Sequence, residues 1–308
     1  MMNITVIGSG AMGSLFGGML TEEGHNVTLF DVWEEHIEAM NNHGLKIRTL
    51  EGKKKNIEVK ATTNSSFIDH TDLAIIFVKS TQTREAAKGT YDILTENVEV
   101  LTLQNGLGNP EIIKEFAPEE NIIAGVTTHG STLESPGRIT HAGSGPTTIG
   151  RYFTKNDEKV HKVAEVLSSA GFDTTTSNNI KSKIWEKLLV NIGINYPTAL
   201  GRVRNGLLTK TKTGERLIES SIREAMKVAR KEGIKLRKDL VEYAKKIASS
   251  TGDNKSSMLQ DIEKGKMTET KNLAGAIVRR AEKHNLEVPI NRTFNDLIKT
   301  AEHRSNSL

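Results

Sequence analysis

The sequence predicts an α/β protein in two parts, an N-terminal doubly wound parallel sheet followed by an all-helical domain. Three observations carry this. Short apolar runs alternate with helical segments through the first half, the pattern of strands covered on both faces by helices. The first of these runs passes directly into a glycine-rich turn and a helix. Beyond residue 178 helical periodicity takes over and no convincing strand remains, so we place a domain of residues 1–178 before one of 179–308.

The first strand, Asn3-Ile4-Thr5-Val6-Ile7, runs into Gly8-Ser9-Gly10-Ala11-Met12-Gly13. A strand followed by G-x-G-x-x-G and a helix is the dinucleotide-binding fingerprint of a Rossmann-type unit. Gly8 permits the tight turn, Gly10 the approach of backbone to a pyrophosphate, and Gly13 close packing of helix on strand. The helix expected from about Ala11 to Glu23 would aim its amides and dipole at that pyrophosphate, with Gly24 as its stop. Val27-Thr28-Leu29-Phe30 is the second strand, and it ends in Asp31. That aspartate stands about 18 residues past Gly13, where such units keep a carboxylate for the ribose hydroxyl.

Leu45-Lys46-Ile47 and Ile57-Glu58-Val59 bracket a charged hairpin, Glu51 to Asn56, whose lysines read as a solvated tip. Leu73 to Val78, Val98 to Leu103 and Ile122 to Val126 are further strands, with helical character in Thr83–Leu94 and Glu111–Phe116. In the second half, helices are expected over Lys181–Ile194, Thr213–Glu232, Asp239–Ser249, Ser257–Lys264 and Met267–His284. Asn285 and Pro289 stop the last of them, and a polar tail from Glu302 to Leu308 is expected to fray.

Composition narrows the function. The 42 cationic residues only slightly exceed the 38 anionic ones and are interspersed with them. Aromatics make up only 5% of the chain, which argues against a nucleic-acid partner. A small anionic substrate fits the mild positive bias. The absence of cysteine excludes disulfides, thiolate catalysis and cysteine-ligated metal, and no metal is expected. No apolar run approaches the ~18 residues of a membrane span, and a strand starting at residue 3 leaves no room for a leader. A soluble, cytoplasmic protein is expected.

In Ile184-Trp185-Glu186-Lys187-Leu188-Leu189-Val190-Asn191-Ile192-Gly193-Ile194-Asn195, the residues Lys187, Asn191 and Asn195 repeat every four positions and share one helix stripe. Asparagine is a poor helix former, so two of them in line with a lysine on an apolar helix call for a ligand or a neighbouring element. Further on, Ser257 opens Ser-x-x-Gln, which reads equally as a helix capping box or as a carboxylate-binding corner. Glu269 reads on its own as a carboxylate in the first turn of a helix, favoured there by the helix dipole.

These segments resemble the ketopantoate reductases over about residues 3 to 290. The resemblance lies in Gly8–Gly13, Val78-Lys79-Ser80-Thr81-Gln82, Gln104-Asn105-Gly106-Leu107-Gly108, Thr127-Thr128-His129-Gly130, Trp185-Glu186-Lys187-Leu188 with Asn191 and Asn195, and Ser256-Ser257-Met258-Leu259-Gln260-Asp261 with Glu269. It implies reduction of ketopantoate to pantoate by NAD(P)H in pantothenate and coenzyme A synthesis, in a cleft between the two domains. A homodimer is compatible with it. Lys187 would be the catalytic proton donor, and Glu269 its support and a cofactor contact. Asn191, Asn195, Asn205 and Ser257 would bind substrate. Asn105 would meet both ligands, and Lys79 and Ser131 would lie on the cofactor side.

The chain departs from the family after the second strand. Where members preferring NADPH carry an arginine, this one has Asp31-Val32-Trp33-Glu34-Glu35, which favours NADH. The nearest cationic candidates for a 2′-phosphate are His36 and Arg48. The competing readings are a reductase of another 2-keto or 3-hydroxy acid on this scaffold and a dinucleotide-binding protein without chemistry.

Overall fold

The computed structural model describes residues 1–305. It divides into two compact units, one of residues 1–104 and 109–180, the other of residues 105–108 and the chain from Lys181 onward.

The first unit contains β1 (Asn3–Ile7), α1 (Ala11–Glu22), β2 (Asn26–Phe30), α2 (Glu34–His43), β3 (Leu45–Arg48), β4 (Lys54–Ile57), β5 (Lys60–Thr62), β6 (Leu73–Ile76) and α3 (Thr83–Gly89). These are followed by β7 (Glu99–Thr102), α4 (Asn109–Ile113), β8 (Ile122–Thr127), β9 (Gly130–Ser135), β10 (Arg138–Gly143), β11 (Thr147–Arg151), α5 (Glu158–Ser169) and β12 (Thr174–Thr176). Eight strands form the main sheet in the order β12-β11-β8-β7-β6-β1-β2-β5. The six from β8 to β5 are parallel, and β11 pairs antiparallel to β8. The chain order reverses at β1, between β2 and β6, and the glycine-rich turn leaves β1 at that switch point, where open α/β sheets bind ligands.

The expected hairpin is present as β3 and β4, with an exposed tip. It is half of a second sheet that the sequence reading does not anticipate, ordered β4-β3-β10-β9, in which β10 runs parallel to β3. Helix α1 packs against strands of both sheets, which explains its composition. A Cβ on Gly17 would lie 2.3 Å from Leu29, and one on Gly18 would lie 2.9 Å from Ile47 and Leu45. Phe16 stacks on Phe172 at 3.7 Å in the core beneath. The helices after β6 and β7 are shorter than expected, since α3 ends at Gly89 and α4 at Ile113.

The second unit holds the rest of α6 (Ile180–Gly201), then α7 (Lys212–Lys231), α8 (Leu240–Ser250), α9 (Ser257–Glu263), α10 (Ala274–Lys283) and α11 (Pro289–Ser305). Three boundaries differ from expectation. Helix α6 continues through Pro197 to Gly201, and Thr198 Oγ1 donates to the carbonyls of Ile194 (2.7 Å) and Asn195 (3.1 Å) next to the proline. Residues 267–269 are not helical, because Thr268 is committed to Glu302 through both its N–H and its hydroxyl at 2.7 Å. Pro289 opens a helix rather than only ending one, as suits its fixed φ at a first helical position. Glu302 is therefore buried instead of frayed, while residues 306–308 of the expected tail lie outside the described residues. The stop at Asn285 is present: its φ is 51° and Leu286 N–H reaches back to the Ala281 carbonyl. No helix among the described residues is long and apolar enough to cross a membrane.

Candidate active site

In the first unit, the site begins with the turn after β1. Gly8 has φ +93°, and a Cβ there would lie 2.6 Å from Val78 N, so a side chain is excluded both by conformation and by space. A Cβ on Gly13 would lie 1.9 Å from the Gly8 carbonyl oxygen, which explains the close seat of α1 on the turn. Gly10 differs, because a Cβ there meets nothing within 4 Å. The protein's own packing does not demand that glycine, and the open space next to it is where a ligand would need it. Helix α1 has no side-chain cap and no acidic residue in its first turn, so its leading amides are left to an external acceptor. The turn with Ser9, Ala11 and Met12 thus suits an anionic group such as a pyrophosphate.

Asp31 follows the last residue of β2. Its Oδ2 accepts from Ser9 N–H at 2.7 Å and its Oδ1 from Trp33 N–H at 3.1 Å, so the carboxylate braces the glycine turn from the side. Both of the nearest cationic candidates for a 2′-phosphate are engaged within the protein. His36 is fully buried, and Arg48 lies on β3 with its Nε 3.7 Å from Glu134. Lys79 follows β6 and precedes a 3₁₀ turn. Ser131 is on β9, opposite His141, and its buried Oγ has no partner among the described residues. An orphaned hydroxyl of that kind calls for a ligand or water.

In the second unit, four segments distant in sequence converge. Lys187, Asn191 and Asn195 lie on α6 at successive turns. Lys187 is half-buried, and desolvation brings its ammonium down to about 8 from the usual 10.5, while the Glu269 carboxylate pulls the other way and holds the proton on. Glu269 accepts from Asn105 Nδ2 at 3.2 Å, which explains why the short segment 105–108 belongs to this unit. Leu107 N–H donates to Asn272 O and Asn272 Nδ2 donates back to Leu107 O, both at 3.0 Å. Gly106, at φ +88°, passes so close to Asn272 that a Cβ would lie 2.6 Å from its oxygen.

The capping expectation for Ser257 is corrected. Ser256 is the cap of α9, its Oγ accepting from Leu259 N–H at 3.2 Å, and Ser257 is the first helical residue. The Ser257 hydroxyl instead faces Asn195 Nδ2 at 3.5 Å. Glu269 is likewise not in the first turn of an α-helix; it precedes the 3₁₀ turn Thr270–Asn272. The hydrogen bonds of Asn205 lead to the loop before α9. Its Nδ2 donates to Thr251 Oγ1 at 3.0 Å and its backbone N–H to Asn254 O, bracing the loop that leads into α9, and its buried Oδ1 has no partner among the described residues.

Sequence reasoning missed the residues that hold Glu269 in place. Tyr196 is buried next to Asn195, its hydroxyl paired with Thr270 Oγ1 at 2.8 Å and accepting from Ala274 N–H at 3.0 Å. Glu302 anchors Thr268 from a helix read as a frayed tail. The available signal for Tyr196 was its place directly after the asparagine stripe on an apolar helix.

The first half of the chain matches the family model described as Ketopantoate reductase PanE/ApbA over residues 4–153. The second matches that of its C-terminal part over residues 179–302. The 2-dehydropantoate 2-reductase of Halobacterium salinarum is 40% identical over 301 residues, covering 98% of this chain and 99% of that protein. The Pyrococcus abyssi enzyme of the same name is 38% identical with 98% of each covered. Among solved structures, D-mandelate dehydrogenase with NADH and anilino(oxo)acetate superposes with a TM-score of 0.94 at 32% identity, covering 99% of this chain and 100% of that one. A PanE/ApbA family ketopantoate reductase from Ralstonia eutropha gives 0.91 at 30%, with the same coverage. With both halves matched and likeness running the length of the chain, the protein belongs to the ketopantoate reductase family of oxidoreductases.

Proposed function

We propose that this protein is a 2-dehydropantoate 2-reductase, reducing ketopantoate to pantoate with a reduced nicotinamide cofactor. The observation that carries the chemistry is the half-buried Lys187, on one helix stripe with Asn191 and Asn195 and coupled to the Glu269 carboxylate that Asn105 holds at 3.2 Å. When bound, the cofactor supplies a hydride to C2 of the keto acid. Negative charge then develops on the carbonyl oxygen. An ammonium whose proton burial has loosened both stabilises that charge and donates a proton to it. Glu269 keeps the lysine protonated, and Asn105 fixes the carboxylate. Asn191, Asn195 and Ser257 offer amide and hydroxyl groups for the substrate's carboxylate and hydroxyl without adding a competing charge. Gly8 to Gly13 with Asp31, Lys79 and Ser131 offer the cofactor side within the first unit.

For the cofactor we propose NADH at least equal to NADPH. Residues 31 to 45 contain no lysine or arginine, and a dianionic phosphate next to Asp31, Glu34 and Glu35 meets like charge. Asp31→Ala combined with Val32→Arg should shift preference toward NADPH. A kcat/KM for NADPH more than about tenfold (~1.4 kcal/mol) above that for NADH in the unmodified protein would contradict this reading.

The fold relationship to D-mandelate dehydrogenase favours one second reading, a reductase of another 2-keto acid. Oxidation of NADH and NADPH followed with ketopantoate, 2-ketoisovalerate, pyruvate and phenylglyoxylate separates the two. The highest kcat/KM is expected with ketopantoate; a higher value with an aryl keto acid would establish the alternative.

A further inference from the structure

His36 is a fully buried histidine directly behind the glycine turn, and the reaction as described does not use it. Its ring joins two separate segments. Nδ1 lies 3.0 Å from Gly137 N in the β9–β10 turn, and Nε2 lies 2.9 Å from the Ser9 carbonyl oxygen. A backbone N–H can only donate and a carbonyl can only accept, so Nδ1 is bare and Nε2 carries the proton. The tautomer follows from the geometry. Ser14 Oγ donates to the same Ser9 carbonyl at 2.5 Å, and Asp31 takes the Ser9 N–H at 2.7 Å. Trp33 stacks over the ring at 5.0 Å and 11°.

The consequence lies in the next amide. The peptide bond between Ser9 and Gly10 is trans, so its N–H points opposite to its C=O. Holding the Ser9 carbonyl inward on the buried imidazole turns the Gly10 N–H outward, beside the open space at Gly10. We propose that His36 is a positioning residue for the dinucleotide: as the neutral Nε2–H tautomer it aims the Gly10 amide at the pyrophosphate, and its protonation releases the turn. A second proton, on Nδ1, would face the Gly137 N–H donor to donor and break the tie to the β9–β10 turn. Of the groups facing the ring, Ser9 and Ser14 from the turn and α1, Trp33 from the start of α2, and Gly137 are uncharged, and Asp31 carries the charge. Burial outweighs that carboxylate and holds the imidazole below its ordinary value, so it stays neutral at physiological pH and charges on acidification.

The proposal rests on the glycine turn binding a nicotinamide dinucleotide. The test is equilibrium binding of NADH and NADPH, with KM for the cofactor and kcat measured separately, from neutral to mildly acidic pH. It uses the wild type, His36→Phe and His36→Gln, the last keeping a donor for Ser9. At neutral pH, His36→Phe should raise cofactor Kd and KM about tenfold while kcat at saturation stays within about twofold, and His36→Gln should recover most of that loss. Wild-type affinity should weaken as pH falls, and the His36→Gln affinity should not follow it. An unchanged Kd in folded His36→Phe, or the same acid weakening in His36→Gln as in wild type, would overturn the assignment. Failure of the wild type itself to bind either dinucleotide would overturn the cofactor reading beneath it.

Discussion

The glycine turn at the start of the chain and the lysine cluster in the helical unit are held in place by different means. The turn is shaped by backbone sterics over six consecutive residues, and a Cβ at Gly8 or Gly13 has no room. The lysine cluster is assembled by side chains from α6, from the 105–108 segment, from the start of α9 and from the irregular stretch before α10. Each of those contacts spans 60 or more residues of sequence, as the Asn195–Ser257 separation of 62 illustrates. Shape that depends on excluded volume fails when something is added; shape that depends on polar partners fails when something is removed. The two regions should therefore respond to opposite kinds of substitution.

Lys187→Ala gives the sharpest contrast. It should lower kcat by about 10²–10⁴, the worth of a positioned general acid, while dinucleotide affinity stays at the wild-type value. Retention of more than half the wild-type kcat would remove Lys187 from the chemistry. Gly13→Ala should do the reverse. Its new Cβ falls 1.9 Å from the Gly8 oxygen, so the turn must open. Cofactor Kd is expected to rise at least about tenfold, with a loss of about 1–3 kcal/mol of stability for the overpacking. Calorimetry and cofactor titration on this one variant check both.

Adjacent serines separate the two behaviours within a single turn of helix. Ser257→Ala should raise KM for ketopantoate about tenfold with kcat nearly unchanged, as for a hydrogen bond worth ~1.5 kcal/mol to a carboxylate. Ser256→Ala removes the cap of α9 and the partner of Thr198 Oγ1, and should lower stability by about 1 kcal/mol with kinetics intact. The opposite assignment of effects would restore Ser257 to the cap.

What could be read from the sequence follows the same division. The turn is local: Gly8, Gly10, Gly13 and Asp31 stand at spacings set by one strand, one turn and one helix, so pattern suffices. The asparagine stripe of α6 is also local, since a four-residue repeat places three side chains on one face. Long-range dependencies stayed hidden. The second sheet requires β10 to lie parallel to β3 across some ninety residues, and nothing in either strand announces that pairing. Glu302 looks like part of a solvated tail until Thr268 is seen to need an acceptor for two donors. Ser257 looks like a cap because Ser-x-x-Gln fits the motif, but Ser256 competes for the role and wins through a buried hydroxyl partner, Thr198. His36 was read as a phosphate candidate because sequence carries no sign of which face of α2 is buried against the turn.

The pH dependence of turnover tests the account's central claim, that Lys187 donates the proton and Glu269 keeps it charged. The ammonium form is the active one, so kcat should be flat near neutrality and fall as pH rises through about 8. Glu269→Gln removes the charge that opposes desolvation. The lysine should then lose its proton more readily, and the falling limb should move to lower pH, with reduced kcat at neutrality. A limb that stays in place in Glu269→Gln, or a wild-type kcat that rises above pH 8, would contradict the pairing of these two residues as acid and support.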